Sequence, residues 1–551
     1  MPKKHSKAKT VILVLATALI AGGAVAGGFA IKKYVDENAI SMPWTDKQFE
    51  GTYAGVRLYN DGDHDPVRLG AAAEFKAGIN GERNDFDAYP IYSHMKQSKD
   101  RNGNVVVTIP DHYIKTIATA NYTDYMMSAW KLDETWLKVP QHQVGSYKAD
   151  VSFDSKGKGT MHSRSGAYPS FNFTKVEGAG YAKNGGGFMT TYTEAMDLNY
   201  LMTIEFATDN LEDVFSGFKS AHTLEDLAFD IDLQKTGKTN VVRIAAETIN
   251  ESLGDNKLNE VIIPGFTSFC IQEADGYVSS DIATVTAVKK TNIQVEAQAS
   301  SSASSSQEAE TETVNVYELT IDKTINFEDE EETLVNRWKA RQIADGTEDP
   351  DEEDMADPLI QLGNYVKNGL TDGLKGSSNE LKAFNGVDLP KGMRPFSYRG
   401  IENWYGGLYE WLDGVQIKAV NSEDEDKAGN FLQVCDDKEL MGESDAADAK
   451  TPDYKTAFSV TSGNASGWIS GLAEGNETNP FIIAGLQNNE KGSLNDYLYM
   501  PGFNTDSESV TLRPVYRGAN WNVVSSDGAF YLNGRGDFSY WGCGLGARLG
   551  F

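Results

Sequence analysis

Short runs of alternating apolar and polar residues, each closed by a turn cluster, mark residues 51–140. Gly55-Val56-Arg57-Leu58-Tyr59 leads into Asn60-Asp61-Gly62, and Val105-Val106-Val107-Thr108-Ile109 leads into Pro110. A period of two bounded by Gly, Asn and Pro predicts strands, so residues 46–155 are expected to form a β-rich unit. The period changes at Thr191. Thr191-Tyr192-Thr193-Glu194 has the spacing of a capping box, in which the Thr hydroxyl and the Glu carboxylate satisfy each other's backbone amides. Behind it Ala195, Leu198, Leu201 and Met202 recur at helical spacing. That predicts a helix with one buried stripe, ending at Asp209-Asn210.

Two stretches break the globular pattern. Residues 11–31 carry no charge and are flanked by Lys3, Lys4, Lys7 and Lys9 on one side and Lys32-Lys33 on the other. A helix of that length is about enough to cross a ~30 Å hydrocarbon core. Residues 1–45 are therefore expected to be a membrane anchor and tether, giving a single-pass protein of the cell membrane with its C-terminal part exported. The alternative is a cleaved signal segment with Ala24-Val25-Ala26 as the small-residue site, which would make the protein secreted. After Lys289 the composition shifts to serine (residues 300–306) and then to acidic blocks (residues 328–332 and 348–354). Such runs bury little apolar surface, so an insertion over residues 287–385 is expected to be partly disordered, above all at 292–312 and 346–356. Residues 314–327 within it have strand character. Folded character returns near Pro395, which leaves residues 156–551 as the main domain around the insertion.

Composition narrows the chemistry. A formal charge of -30 opposes the clustered Lys and Arg that a nucleic-acid backbone needs, so no nucleic-acid partner is expected. Cys270, Cys435 and Cys543 match no zinc spacing, and all seven histidines lie at or before His222. Asp61, Asp63 and Asp65 imitate the start of a calcium loop, but Pro66 stands where the turn needs Gly and Ala72 where a bidentate Glu belongs. Glu402, Glu410 and Asp413 could imitate paired glycosidase carboxylates. A carboxylate beside a tryptophan and a turn is more often a structural hydrogen-bond anchor. No nucleophile elbow and no phosphate-binding loop is present. The chain is read as a binding protein with no catalytic residues, no metal and no cofactor.

The stretch Ser397-Tyr398-Arg399-Gly400-Ile401-Glu402-Asn403-Trp404-Tyr405-Gly406-Gly407-Leu408-Tyr409-Glu410-Trp411-Leu412-Asp413-Gly414 resembles a block of one protein family. These are the C-type-lectin-like variable proteins of diversity-generating retroelements and their phage tail relatives, whose fold is shared with formylglycine-generating enzymes. Tyr516-Arg517-Gly518-Ala519-Asn520-Trp521, Gly528-Ala529-Phe530-Tyr531-Leu532-Asn533 and Gly546-Ala547-Arg548-Leu549 fit the family's ending. The resemblance implies an α+β class, with a C-type-lectin-like domain following the β-rich unit, the acidic insertion and an N-terminal transmembrane helix. It implies Trp404, Gly406, Trp411, Gly414, Phe530 and Arg548 as scaffold. It places a hypervariable ligand face at Asn520, Asn522, Val523, Ser525, Asn533, Arg535, Gly536, Tyr540, Trp541, Gly542 and Gly544. In that family adenine-directed mutagenesis rewrites such codons, and most of these residues are reachable from an AAC codon. The implied function is a surface-displayed receptor or adhesin for an unknown protein or cell-surface ligand, membrane-bound through its N-terminal helix and compatible with an oligomer. A prophage tail-tip receptor-binding protein and a formylglycine-generating-type oxidase are the alternatives.

Overall fold

β-Strand accounts for 42% and helix for 11% of the described residues. The computed structural model describes residues 48–551 apart from 216, 218–237, 248–261, 272–281, 297–310, 327–359, 364–365, 375, 379–380, 390–392, 436–453, 462–464, 491, 506, 520–527 and 541–543. The expected α+β class is corrected to a β-rich fold. Among the described residues helices longer than five residues occur only within 175–206, and most of the rest, rich in Gly, aromatic and β-branched residues, forms short strands and turns.

Residues 11–31, expected to cross a membrane, lie outside the described residues. Among the described residues no helix is long and apolar enough to do so. The longest, Tyr192–Phe206, has 15 residues and carries Glu194, Asp197 and Glu205. At ~1.5 Å per residue it falls well short of a ~30 Å hydrocarbon core. The expected transmembrane helix and the single-pass cell-membrane location are corrected on this ground.

Among the described residues four sheets have five or more strands, and Gly51–Phe551 forms one compact unit. The first sheet runs Val67–Gly70, Ala54–Tyr59, Tyr122–Ser128, His112–Ala118, Leu137–Val139. The second has Leu549–Gly550 lying between Phe188–Met189 and His142–Gly145, with Val105–Ile109 and Lys96–Lys99 beyond. Strands from either side of residue 155 thus share one sheet. The third contains Lys238–Ala245, Thr311–Asn326, Ile282–Glu296, Ser268–Ile271 and Ile360–Gly363. Here the insertion departs from expectation. Residues 292–296 pair with 311–315 as the end of a long antiparallel ribbon, because Ile293, Val295 and Val314 alternate with polar residues. Residues 297–310 and 346–356 lie outside the described residues. The fourth and largest sheet has nine strands and is built entirely from residues 409–546.

Among the described residues two helices exceed the five-residue Pro90–His94 in length. We label Lys175–Asn184 α1 and Tyr192–Phe206 α2. Both open on a complete capping box, Thr174 with Glu177 and Thr191 with Glu194. Helix α2 ends earlier than the sequence suggests, at Phe206, because Ala207 turns left-handed (φ 50). The expected single buried stripe is also wrong: every residue from Glu194 to Glu205 is buried. Asp197, Asn199 and Glu205 are tied to neighbouring elements. Asn199 accepts from Trp404 Nε1 at 2.8 Å and donates to the Ala529 carbonyl at 2.6 Å. Glu205 accepts from Arg399, Tyr398 and Asn84. Arg68 donates to the Ile204 and Glu205 carbonyls, so a cation caps the negative end of the helix.

Candidate ligand-binding face

The nine-stranded sheet carries a row of aromatic rings, and its register explains the row. In Tyr409–Asn421 and Ser509–Arg517 the pairing sets Trp411 opposite Tyr516. Tyr516 lies opposite Asn533 of the short strand Leu532–Asn533, and Asn533 lies beside Tyr499 of Tyr497–Tyr499. Tyr497 is in turn opposite Trp468. Cross-strand neighbours on one face of a sheet are within side-chain reach, so the rings meet. Trp411 and Tyr516 have centroids 5.5 Å apart, Tyr409 stacks on Tyr531 at 5.6 Å, and Tyr531 meets Tyr499 at 5.8 Å. Tyr499 and Tyr497 are 4.4 Å apart, and Tyr497 meets Trp468 at 5.6 Å. Tyr516 and Tyr531 are buried, whereas Tyr409, Tyr497, Tyr499 and Trp468 are half-buried. The row is fixed from below and partly open.

Residues 533–540 lie against this row. Asn533 donates to the Tyr531 hydroxyl at 2.9 Å and accepts from the Arg535 amide at 3.0 Å, which turns the chain after the strand. The Arg535 guanidinium sits 4.6 Å over the Tyr499 ring. Tyr540 stacks on Tyr516 at 6.2 Å and is 44% exposed. Asp537 accepts from Ser539 and faces Arg513 at 3.7 Å. Gly536 is half-buried, and a Cβ on it would meet Tyr540 carbons at 3.0 Å, so a side chain there requires that exposed ring to shift. Gly544 is half-buried and its carbonyl accepts from the Tyr409 amide at 2.7 Å. The structure thus brings Asn533, Arg535, Gly536 and Tyr540 of the expected face into one neighbourhood, with Gly544 adjoining the strand of Tyr409. Asn520, Asn522, Val523, Ser525, Trp541 and Gly542 lie outside the described residues.

Beneath the sheet lies a group of buried charges centred on Glu410. Its carboxylate accepts from Lys148 at 2.7 Å, Arg517 at 2.6 Å and Arg548 at 3.0 Å. Burial pushes the Glu410 carboxyl up, but the three cations outweigh it and hold it at about 2. Burial pulls Lys148 down to about 8 and Arg517 to about 10, against the opposing pull of Glu410. Arg517 lies 3.5 Å over the Trp404 ring. Arg548 donates further to the carbonyls of Gly145, Glu402 and Asn403, tying its own segment to residues 145 and 402–410. Trp404, Trp411 and Phe530 are buried, and Trp411 Nε1 donates to the Phe173 carbonyl at 3.0 Å. Gly406 and Gly414 have φ of 86 and 67, conformations that a side chain would strain.

The three carboxylates weighed as a glycosidase group are all buried and engaged. Glu402 accepts from Gly369 and Thr371, and Asp413 from Lys175 and the Met189 amide. A second buried ionic group escaped the sequence altogether. Asp197 of α2 lies 3.0 Å from His112 Nε2 and 3.4 Å from His142 Nε2. Each imidazole turns its Nδ1 to a proline carbonyl, of Pro110 and Pro140. Burial lowers the His112 pKa, but the Asp197 charge and hydrogen bond overcome it and leave it raised. Among the described residues no group of three His, Cys, Asp or Glu is placed to hold a metal ion. The tyrosine row too was missed, although Tyr497-Leu498-Tyr499 carries the i, i+2 signal of rings on one strand face. No family model and no curated protein matches the chain.

Proposed function

We propose that this chain is a ligand-binding protein that recognises its ligand through the aromatic row and the adjoining residues 533–540. One observation carries the reading. Half-buried tyrosines, held by strand register and ring stacking, flank exposed Arg535 and Tyr540 over a locked interior. Rings with two side-chain torsions offer contact area at little ordering cost, and a guanidinium over a ring adds a charged anchor. The resemblance of residues 397–414, 516–521, 528–533 and 546–549 to variable proteins of diversity-generating retroelements supports a face whose residues change while the fold persists.

The test is a library with positions 533, 535 and 540 randomised together. Most members are expected to melt cooperatively within a few degrees of the parent, and selection on immobilised protein mixtures is expected to yield binders of distinct sequence. A library that is mostly unfolded would refute the reading. A reverse-transcriptase gene with a near-identical noncoding repeat beside this gene would support diversification; tail and baseplate genes there would favour a phage tail-tip role.

A further inference from the structure

A second concavity, sharing no lining residue with the aromatic row, opens between the strand Lys96–Lys99, the turn at Gly103 and the loop at residues 366–374. Its volume is about 480 Å³, within the ~300–1,000 Å³ of small-molecule sites. The lining is polar, with Gln97, Lys99, Tyr147, Arg164, Thr371 and Asp372 the groups that can bind a ligand.

The charged groups are held in place by neighbours rather than by each other. Tyr147 O–H donates to one Asp372 oxygen and Ser165 O–H to the other at 2.5 Å. Arg164 is anchored from behind, its Nε donating at 3.0 Å to Asp150, which is 3% exposed. Even so, 45% of the Arg164 side chain remains open. Lys99 is exposed and makes no ion pair among the described residues. The cavity therefore presents a carboxylate held by Tyr147 and Ser165, a guanidinium held by Asp150 and an exposed ammonium.

The loop wall is preformed. The buried Glu402 carboxylate accepts from Gly369 N at 2.9 Å, Thr371 N at 2.7 Å and Thr371 Oγ1 at 2.8 Å. The Gly166 amide donates to the Asn368 carbonyl and the Asn368 amide to that of Ala167, both at 2.8 Å. Gly369 has φ +95, and a Cβ there would lie 2.2 Å from Ser165 Oγ and 2.9 Å from Asp372 Oδ2. Only glycine lets the loop approach so closely. Val366 and Leu370 pack on the apolar cluster of Ile263, Phe266, Leu389 and Met393, while Thr371 and Asp372 line the cavity. A wall ordered before binding removes a cost that a ligand would otherwise bear.

The donor set selects a ligand class. An apolar molecule would strip water from Asp372 and from the open part of Arg164 and replace it with no hydrogen bond. A compact multivalent anion would face the Asp372 charge, and a neutral polyol would offer no anionic group to the open edge of Arg164 or to the Lys99 ammonium. We infer that this cavity binds a hydroxylated carboxylic acid of about the size of a sugar acid. Its carboxylate would meet Arg164 and Lys99, and its hydroxyls Asp372 and Gln97.

The experiment is titration calorimetry of the whole chain with sodium glucuronate, glucose and acetate as probes. Glucuronate is expected to bind saturably with a dissociation constant of about 1 mM or tighter, and glucose and acetate at least ~10-fold more weakly. Lys99→Ala, an exposed position, is expected to weaken glucuronate ~3–10-fold. Asp372→Asn, checked by its melting curve, should weaken it at least ~10-fold. Arg535→Ala in the aromatic face should leave it unchanged, so failure here is separable from failure of the proposed binding face. No saturable glucuronate binding up to ~10 mM, equal affinity for acetate or glucose, or indifference to both Lys99→Ala and Asp372→Asn would overturn the inference.

Discussion

Arg548 and Arg535 lie close together in the chain and use the same guanidinium in opposite ways. Arg548 is fully buried, paired with Glu410 and bonded to three carbonyls. Arg535 is exposed and rests on the Tyr499 ring. The first region is an ionic knot, where several buried cations converge on one carboxylate and each member depends on the others. The second is a set of side chains laid on a rigid aromatic row, where each can change without stranding a buried charge. The lesson concerns coupling: residues that must satisfy one another cannot vary, and residues whose partners are solvent or a ring face can.

The largest effect should come from breaking the knot. Glu410→Ala leaves Lys148, Arg517 and Arg548 buried without their shared counter-charge, and a loss of about 3–5 kcal/mol is expected. Urea unfolding measures it; a midpoint within error of the parent would erase the contrast between the regions. Trp411→Ala should cost a comparable ~3–5 kcal/mol, since a buried ring packed on Tyr516 and bonded to Phe173 is removed. The same denaturation series reads it, and a near-neutral result would move Trp411 from interior support to the face.

Protonation sharpens the comparison further. His112 holds its proton more tightly in the folded chain than in the unfolded one. Its contribution is complete below about pH 6.5 and drains away as pH climbs through the raised folded value. Lys148 behaves oppositely: its folded pKa of about 8 lies below its ordinary 10.5, so the unfolded chain keeps the proton longer. This group's penalty is relieved as pH rises between those values. Unfolding free energy measured from pH 5 to 10 should fall through the His112 window. His112→Gln should flatten that fall, and an unchanged slope would remove Asp197 from the pH response. The smallest stability change is expected at the face. Arg535→Ala and Tyr540→Ala should each shift stability by no more than about 0.5 kcal/mol. Circular-dichroism melts check this, and a loss near that of Trp411→Ala would show the two regions to be energetically one.

Legibility tracked how local the deciding interactions are. The capping box at Thr191 and Glu194 was readable because its partners lie within one helical turn. The same spacing at Thr174 and Glu177 was equally present and opens α1. Strands at residues 54–59 and 105–109 followed from alternation bounded by turns. The ribbon through residues 292–296 was hidden by the serine and acidic runs around it, although Ile293 and Val295 kept the period of two. Helix α2 looked amphipathic because Asp197, Asn199 and Glu205 are polar. Their partners His112, Trp404 and Arg399 come from remote segments, so no window of sequence could show the polar side as buried.

By itself the sequence determined the local elements: strand runs, helix starts and glycine turns. Tertiary structure alone decided which residues share a surface. It set Tyr409, Tyr499, Tyr516 and Tyr531 in one row, closed Lys148, Arg517 and Arg548 on Glu410, and laid Asp372 beside Tyr147. The physical reason is that side-chain direction follows from local backbone geometry, whereas strand register and burial come from pairings between distant segments. A lone carboxylate costs too much to bury until the fold supplies its cations.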